Sequence, residues 1–249
     1  MTTLFISDLH LQEGRPDLTR AFFQFLDDKV QLKDTLYILG DFFEVWVGDD
    51  LMTDFQKEVA TKLGSLKEKQ VTAYFMHGNR DFLIGKHFCS IANVTLLKDP
   101  HPIRLGLIPS LLSHGDIWCT SDEKYQKYRR VVHNPVIQWF FLKLPKKVRG
   151  NIGKKLRENS KNRTVQDYSV LDVTTETIEQ TMLDNNIPLI IHGHTHRPFR
   201  HAMPEIAMAL HSANAERIVL GDWDKKGWYL EFNKGTFSLI DFDIDQSLK

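Results

Sequence analysis

Ile191-His192-Gly193-His194-Thr195-His196 is the stretch whose reading decides the fold. An apolar strand, Ile187 to Ile191, runs into a turn that projects imidazoles. A single HGHTH carries little weight, because histidines also cluster by chance. Four other stretches repeat the arrangement. Asp8-Leu9-His10 follows Leu4-Phe5-Ile6, and Gly40-Asp41 follows Leu36-Tyr37-Ile38-Leu39. Gly78-Asn79-Arg80-Asp81 follows Ala73-Tyr74-Phe75-Met76, and His114-Gly115-Asp116 follows Leu111-Leu112. Each time a short hydrophobic strand ends in Asp, Asn or His beside a glycine or tight turn. If those strands share one sheet, the five tips converge on one edge, where open α/β sheets place their ligands.

The donors at those tips are Asp8, His10, Asp41, Asn79, His114, His194 and His196. One metal ion takes about four to six such ligands, so this set, with one carboxylate shared, suits two adjacent ions. The donors are nitrogen and oxygen without thiolate, which fits Mn²⁺, Fe²⁺ or Zn²⁺ and not a structural cysteine-zinc site. Two ions about 3.5–4 Å apart serve phosphate-ester hydrolysis by holding the attacking oxygen and neutralising the phosphoryl group.

Composition narrows the class. The chain has 249 residues, 42% of them apolar, enough for one large domain or a domain with an insertion. Cys89 and Cys119 make no disulfide framework. The N-terminus lacks a basic, apolar signal segment, and no apolar run approaches the roughly 20 residues of a spanning helix. A soluble or membrane-peripheral protein is expected. Net charge is zero, but unevenly distributed: Lys124 to Arg163 holds 13 Lys or Arg and one acid, Glu158. The segment is therefore +12 and the remainder −12.

Helical spacing predicts helices over Pro16 to about Lys29, Asp54 to Lys69, Phe82 to Ala92 and Thr174 to Asn185. Further strands are expected at Val94–Leu97, at Ile103–Ser113 broken by Pro109, and at Arg217–Leu220. A closing hairpin is expected over Gly227–Phe232 and Thr236–Ile244. Two sheets packed face to face and flanked by helices fit this order. The basic middle, about 122–167, reads instead as short helices interrupting a single 1–249 domain, with Ser121 as the first N-cap. Its second helix carries Val136, Ile137, Trp139, Phe140, Phe141 and Leu142, apolar almost all round. Such a surface beside a basic belt suits an interfacial membrane helix or an acyl-chain groove. A solvated helical insertion and a nucleic-acid patch are the alternatives, although the latter would interleave basic residues with exposed stacking rings.

The order D-x-H, G-D-x-x-E, G-N-x-D, H-G-D, G-H-T-H resembles the calcineurin-like metallophosphoesterase superfamily across residues 8 to 196. The resemblance implies an α/β (α+β) four-layer β-sandwich flanked by helices, with a helical lid insertion. A narrower likeness is to the pyrophosphatases of lipid A biosynthesis that act on UDP-2,3-diacylglucosamine. It rests on Ile6 to Leu11, Tyr37 to Asp50, His77 to Leu83 and Ile191 to Pro198. That likeness implies a Mn²⁺ enzyme, two ions per chain, peripheral to the cytoplasmic side of the inner membrane. Its substrate would be a lipid-linked nucleotide sugar, cleaved by attack of a metal-held water at the α-phosphorus. The products would be UMP and 2,3-diacylglucosamine 1-phosphate. No nucleic-acid or protein partner is implied. Asp8, His10, Asp41 and His196 would hold one ion and Asp41, Asn79, His114 and His194 the other, with Asp41 bridging. Substrate contacts would fall on Asn79, Arg80, Asp122, Ser160, Thr164 and His194, and Asp41, Asn79 and Arg80 would carry the chemistry.

Arg80 departs from the superfamily's usual histidine. Arginine cannot donate a proton at neutral pH, which a phosphomonoesterase needs for its alkoxide. A pyrophosphate leaves as an anion already, and a guanidinium fork suits its charge. Pairing with Asp81 is the plainer role for Arg80. Glu44, Asp49, Asp50 and Asp116 are candidate partners of ligating imidazoles. His192, at a strand end, is expected to point into the sheet packing.

Overall fold

The computed structural model describes residues 1–161 and 172–248, with side chains described to 156 and from 172 to 247. β1 (Thr3–Ile6), β2 (Thr35–Leu39), β3 (Thr72–Met76), β4 (Val94–Leu97), β10 (Lys226–Asn233) and β11 (Thr236–Asp243) form one sheet, in the order β11-β10-β1-β2-β3-β4. β5 (His101–Leu105), β6 (Ile108–Ser113), β7 (Leu189–His192), β8 (Phe199–Ala202) and β9 (Glu216–Val219) form the second, ordered β5-β6-β7-β9-β8.

Period-two alternation explains why the sheets stack. Leu4 and Ile6 of β1 and Leu36 and Ile38 of β2 face one way, into a core shared with α1 (Pro16–Asp28), α2 (Asp54–Gly64) and α3 (Lys86–Ala92). Phe5 and Leu39 face the other way and meet Leu112, Leu189, Ile191 and Ile218 of the second sheet. Ile190, one residue out of phase, joins a third core with α7 (Thr175–Asn185) and α8 (Pro204–Ala209). The layers are thus helices, sheet, sheet, helices. Each fully buried Leu, Ile or Phe contributes about 1.5–3 kcal/mol, so both faces of each sheet are strongly specified.

Several expectations change. The five donor-tipped strands do not share a sheet: β1, β2 and β3 run parallel in one, β6 and β7 parallel in the other. Their tips still meet, because stacking brings the carboxyl ends of both parallel sets to one edge. Ile103 to Ser113 is a hairpin turning at Gly106-Leu107, and Pro109 sits within β6. The β7 ladder starts only at Ser110, so the missing N–H of Pro109 costs no bond to that neighbour. The helix expected from Phe82 begins at Lys86, where Asp49 from a distant loop accepts the N–H groups of Gly85, His87 and Phe88. The helix expected to reach Lys69 leaves α geometry at Gly64 and continues as a 3₁₀ turn. β8 and α8 had no counterpart in the sequence reading.

Between β6 and β7 in the chain lie α4 (Glu123–Val132), α5 (Pro135–Lys143) and α6 (Lys146–Lys161). Asp122, not Ser121, caps α4, its carboxylate accepting the Tyr125 N–H; the Ser121 hydroxyl bonds Thr174 instead. Neither α4 nor α5 contains a fully buried residue.

Candidate active site

The chain leaves three of the five donor-tipped strands, β1, β2 and β7, in a strained conformation. Asp8, His10, Asp41, His194 and His196 all have positive φ, between 49° and 68°. Non-glycine residues pay for that geometry in steric strain, and it concentrates where side chains must be aimed. The turns are pinned to one another: Asp8 N–H donates to Gly40 O and His10 N–H to Asp41 O (both 3.0 Å), and Gly193 N–H donates to His114 O (2.9 Å). Close approach fixes two glycines. A Cβ on Gly78 would lie 2.2 Å from Asp41 N, and one on Gly193 would lie 2.2 Å from Asp8 Oδ2.

Among the described residues two groups place donors within 4.8 Å of one another: Asp8, His10 and His196, and Asp8, Asp41 and His114. His10 Nε2 and His196 Nε2 are 3.4 Å apart. Asp8 Oδ1 lies 3.4 Å from His196 Nε2, buried and without a hydrogen bond, while Oδ2 accepts the His194 N–H at 2.9 Å. In the second group His114 Nε2 stands 3.8 Å from Asp41 Oδ1, 3.0 Å from Asn79 Oδ1 and 3.2 Å from His194 Nδ1. All seven expected donors therefore line one edge. The carboxylate common to both groups is Asp8, whereas the resemblance implies Asp41 as the bridge.

The electrostatics favour a cation there. Burial alone raises the Asp8 pKa, yet the imidazoles of His196, His114 and His10 hold the carboxyl well below its usual range. Burial lowers that of His114, but Asp41, Asp8 and Asp116 push it up to about 9. His194 is pulled down to about 4 by burial and by the neighbouring His114. A buried carboxylate oxygen with no hydrogen bond, facing nitrogen donors with little room between them, fits a divalent ion.

Arg80 pairs with Glu44 (Nη1 to Oε1, 2.6 Å) and lies 3.4 Å from Asp41 Oδ2. The plainer partner, Asp81, is occupied elsewhere, accepting the N–H groups of Gly78 and Phe42. Glu44 also reaches His10 Nδ1 at 3.3 Å. Asp116 accepts from Tyr125 Oη (2.5 Å) and Arg129 Nε (2.8 Å), tying α4 to the loop of His114. Asp49 and Asp50 serve structure: Asp49 caps α3 and Asp50 pairs with Arg149 of α6. His192 is buried against Trp118, with Nδ1 on Gly193 O, outside both donor groups.

A cavity of about 550 Å³ opens beside the donors. Asn79, Arg80 and His194 form one end; Ile137, Phe141 and Ile152 of α5 and α6 line the other. Asp122 is not part of its wall. The backbone of Ser160 lies in α6 with its side chain undescribed, and Thr164 lies outside the described residues. Phe141 packs inward on the core, but Trp139 and Phe140 of the same helix are 56% and 62% exposed.

Sequence reasoning missed one residue. Asp222 Oδ2 stands 3.5 Å from His196 Nδ1. The signal was present, since Gly221-Asp222 follows β9 as Gly40-Asp41 follows β2.

Comparison with known proteins agrees with this geometry. Residues 1–198 match the calcineurin-like phosphoesterase family. The UDP-2,3-diacylglucosamine hydrolase of Pseudomonas entomophila (strain L48) is 46% identical over 97% of this chain and 99% of its own length. The protein of the same name from Pseudomonas aeruginosa (strain UCBPP-PA14) is 47% identical over 94% of this chain and 95% of its own. That of Azotobacter vinelandii is 44% identical over 98% of this chain and all of its own. The chain belongs to the calcineurin-like phosphoesterases and, within them, to the family of UDP-2,3-diacylglucosamine hydrolases.

Proposed function

We propose that this chain is a metal-dependent hydrolase that cleaves the pyrophosphate of UDP-2,3-diacylglucosamine, releasing UMP and 2,3-diacylglucosamine 1-phosphate for lipid A biosynthesis. The observation that carries this reading is the continuous cavity, whose one end holds Asn79, Arg80 and His194 and whose other end is apolar helix surface. A substrate with an anionic centre and long acyl chains matches both ends. A nucleic acid matches only the first.

Asp8, His10, Asp41, Asn79, His114, His194 and His196 are the residues to hold two divalent ions, for which Mn²⁺ is the proposed metal. Such ions, when bound, neutralise phosphoryl charge and acidify water for attack. The chain's own part is positioning. Arg80, held by Glu44 and Asp41, presents its guanidinium at the cavity end and neutralises the departing phosphate. Arg80 cannot serve as a proton donor, and a phosphate leaving group does not require one. The apolar wall around Phe141 takes acyl surface, each methylene contributing about 0.8 kcal/mol. Asp122, Ser160 and Thr164 are proposed to contact the substrate from the 122–167 lid.

No helix among the described residues is long and apolar enough to cross a membrane. We place the chain peripherally on the cytoplasmic side of the inner membrane. The support is α5's outward face, where Val136, Trp139 and Phe140 are exposed beside the basic residues of α6. Incubating purified protein with Mn²⁺ and UDP-2,3-diacylglucosamine should yield UMP; release of no UMP, with a small phosphodiester still cleaved, would replace this substrate by another phosphodiester.

A further inference from the structure

The two donor groups are backed differently. In the second, His114 Nδ1 faces a neutral acceptor, the Leu39 carbonyl at 2.9 Å. In the first, both imidazoles face carboxylates at ion-pair distance, although His10 Nδ1 closes no hydrogen bond: His10 Nδ1 is 3.3 Å from Glu44 Oε2, and His196 Nδ1 is 3.5 Å from Asp222 Oδ2. The two Nε2 atoms are thereby turned towards each other and, for His196, towards Asp8 Oδ1. An imidazole whose Nδ1–H is directed at a carboxylate keeps its Nε2 lone pair for an ion, and the carboxylate draws closer as the ion binds.

Asp222 is built into this position. The next residue, Trp223, is buried among Phe22, Phe25 and Phe242, and its N–H donates to Asp8 O at 3.0 Å. The residue before it, Gly221, lies so close to the Trp228 ring that a Cβ would be 2.5 Å away. Between these fixed neighbours the Asp222 side chain is 36% exposed, and its one ion pair among the described residues is with His196. Packing does not require a carboxylate there.

We propose that Asp222 is a positioning residue for His196, and that with Glu44 it makes the Asp8–His10–His196 group the tighter of two unequal ion sites. This rests on the two-ion reading of the preceding section. The test is a titration of the purified protein with Mn²⁺, counting free ion by its EPR signal. The unaltered chain should take up two ions in distinguishable steps. In Asp222→Ala the tighter step should weaken about ten- to a hundredfold, the usual effect of losing such a partner, with the other step unmoved. Asp222→Asn should fall between, because its amide oxygen still accepts the Nδ1 proton without the charge. Both variants should melt as the unaltered chain does without added metal. An Asp222→Ala isotherm superimposable on that of the unaltered chain overturns the proposal. So does equal weakening of both steps with a lowered melting temperature, which would mark Asp222 as structural. Failure of the unaltered chain to bind Mn²⁺ would instead sink the two-ion reading itself.

Discussion

The strand-tip edge and the α4–α6 lid are built on opposite principles. At the edge, donors come from five loops on two sheets, backbones are tied by N–H···O=C bonds across loops, and five donors sit at strained positive φ. Two fully packed cores hold those strands, so the strain is overdetermined. The lid has no core of its own. Its α4 and α5 bury no residue completely, and it is held at separate polar points: Arg129 and Tyr125 on Asp116, and Arg149, only 2% exposed, on Asp50 and Val47 O. The difference suits the two tasks proposed for them. Metal chemistry requires donors fixed to fractions of an ångström, whereas accepting acyl chains requires apolar area that need not be rigid.

Replacing an edge carboxylate should have the largest effect. Asp8→Asn and Asp41→Asn should each lower turnover at least about a thousandfold, since losing a ligand forfeits several kcal/mol of charge stabilisation. Metal analysis sharpens the pair: the variant of the bridging carboxylate should lose both ions and the other only one. The resemblance points to Asp41 as the bridge, while the donor spacing makes Asp8 common to both groups. Mild, equal losses with both ions retained would show that neither bridges.

Arg80→His should lower kcat about a hundredfold, the effect of removing one preorganised charge donor, with two ions still bound. If metal content falls in step with activity, Arg80 belongs to the rigid edge as a structural ion pair.

Within the lid, the two faces of α5 should separate. Phe141→Ser should raise KM for the diacylated substrate about ten- to a hundredfold, from the roughly 1.5–3 kcal/mol of a buried phenyl ring, while hydrolysis of a small soluble phosphodiester is unchanged. Trp139→Ser should leave both reactions in detergent alone and weaken binding to anionic vesicles. Equal damage to both substrates by Phe141→Ser would make α5 part of the scaffold.

The smallest effect is expected at the lid's anchor. Asp50 is half-exposed, so its pair with Arg149 is partly screened. Asp50→Ala should change KM no more than a few-fold, yet speed proteolytic cutting within residues 122–161. Cutting at an unaltered rate would mean that packing, such as Gly153 against Val47, holds the lid by itself.

The sequence by itself determined the layers and picked out residues that meet at one edge. A short apolar strand followed within three residues by Asp, Asn or His beside a glycine or tight turn is a local pattern, and side-chain alternation along β1 and β2 specifies two buried faces without reference to distant residues. That Arg80 donates no proton was legible from residue type alone; that its partner is Glu44 and not Asp81 was not. Local pattern could not say which strands pair, and the expectation of one shared sheet gave way to tips from two. Nor could it orient a helix apolar all round: Trp139 and Phe141 read alike until contact with the core turned one inward. Asp222 shows the same limit. Its strand–Gly–Asp signal was present, but only the parallel pairing of β9 with β7, and the bond from Trp223 N–H to Asp8 O, brought it to His196. Donor identity is a property of the residue and its turn, whereas which donors meet depends on long-range pairing that only the folded sheets decide.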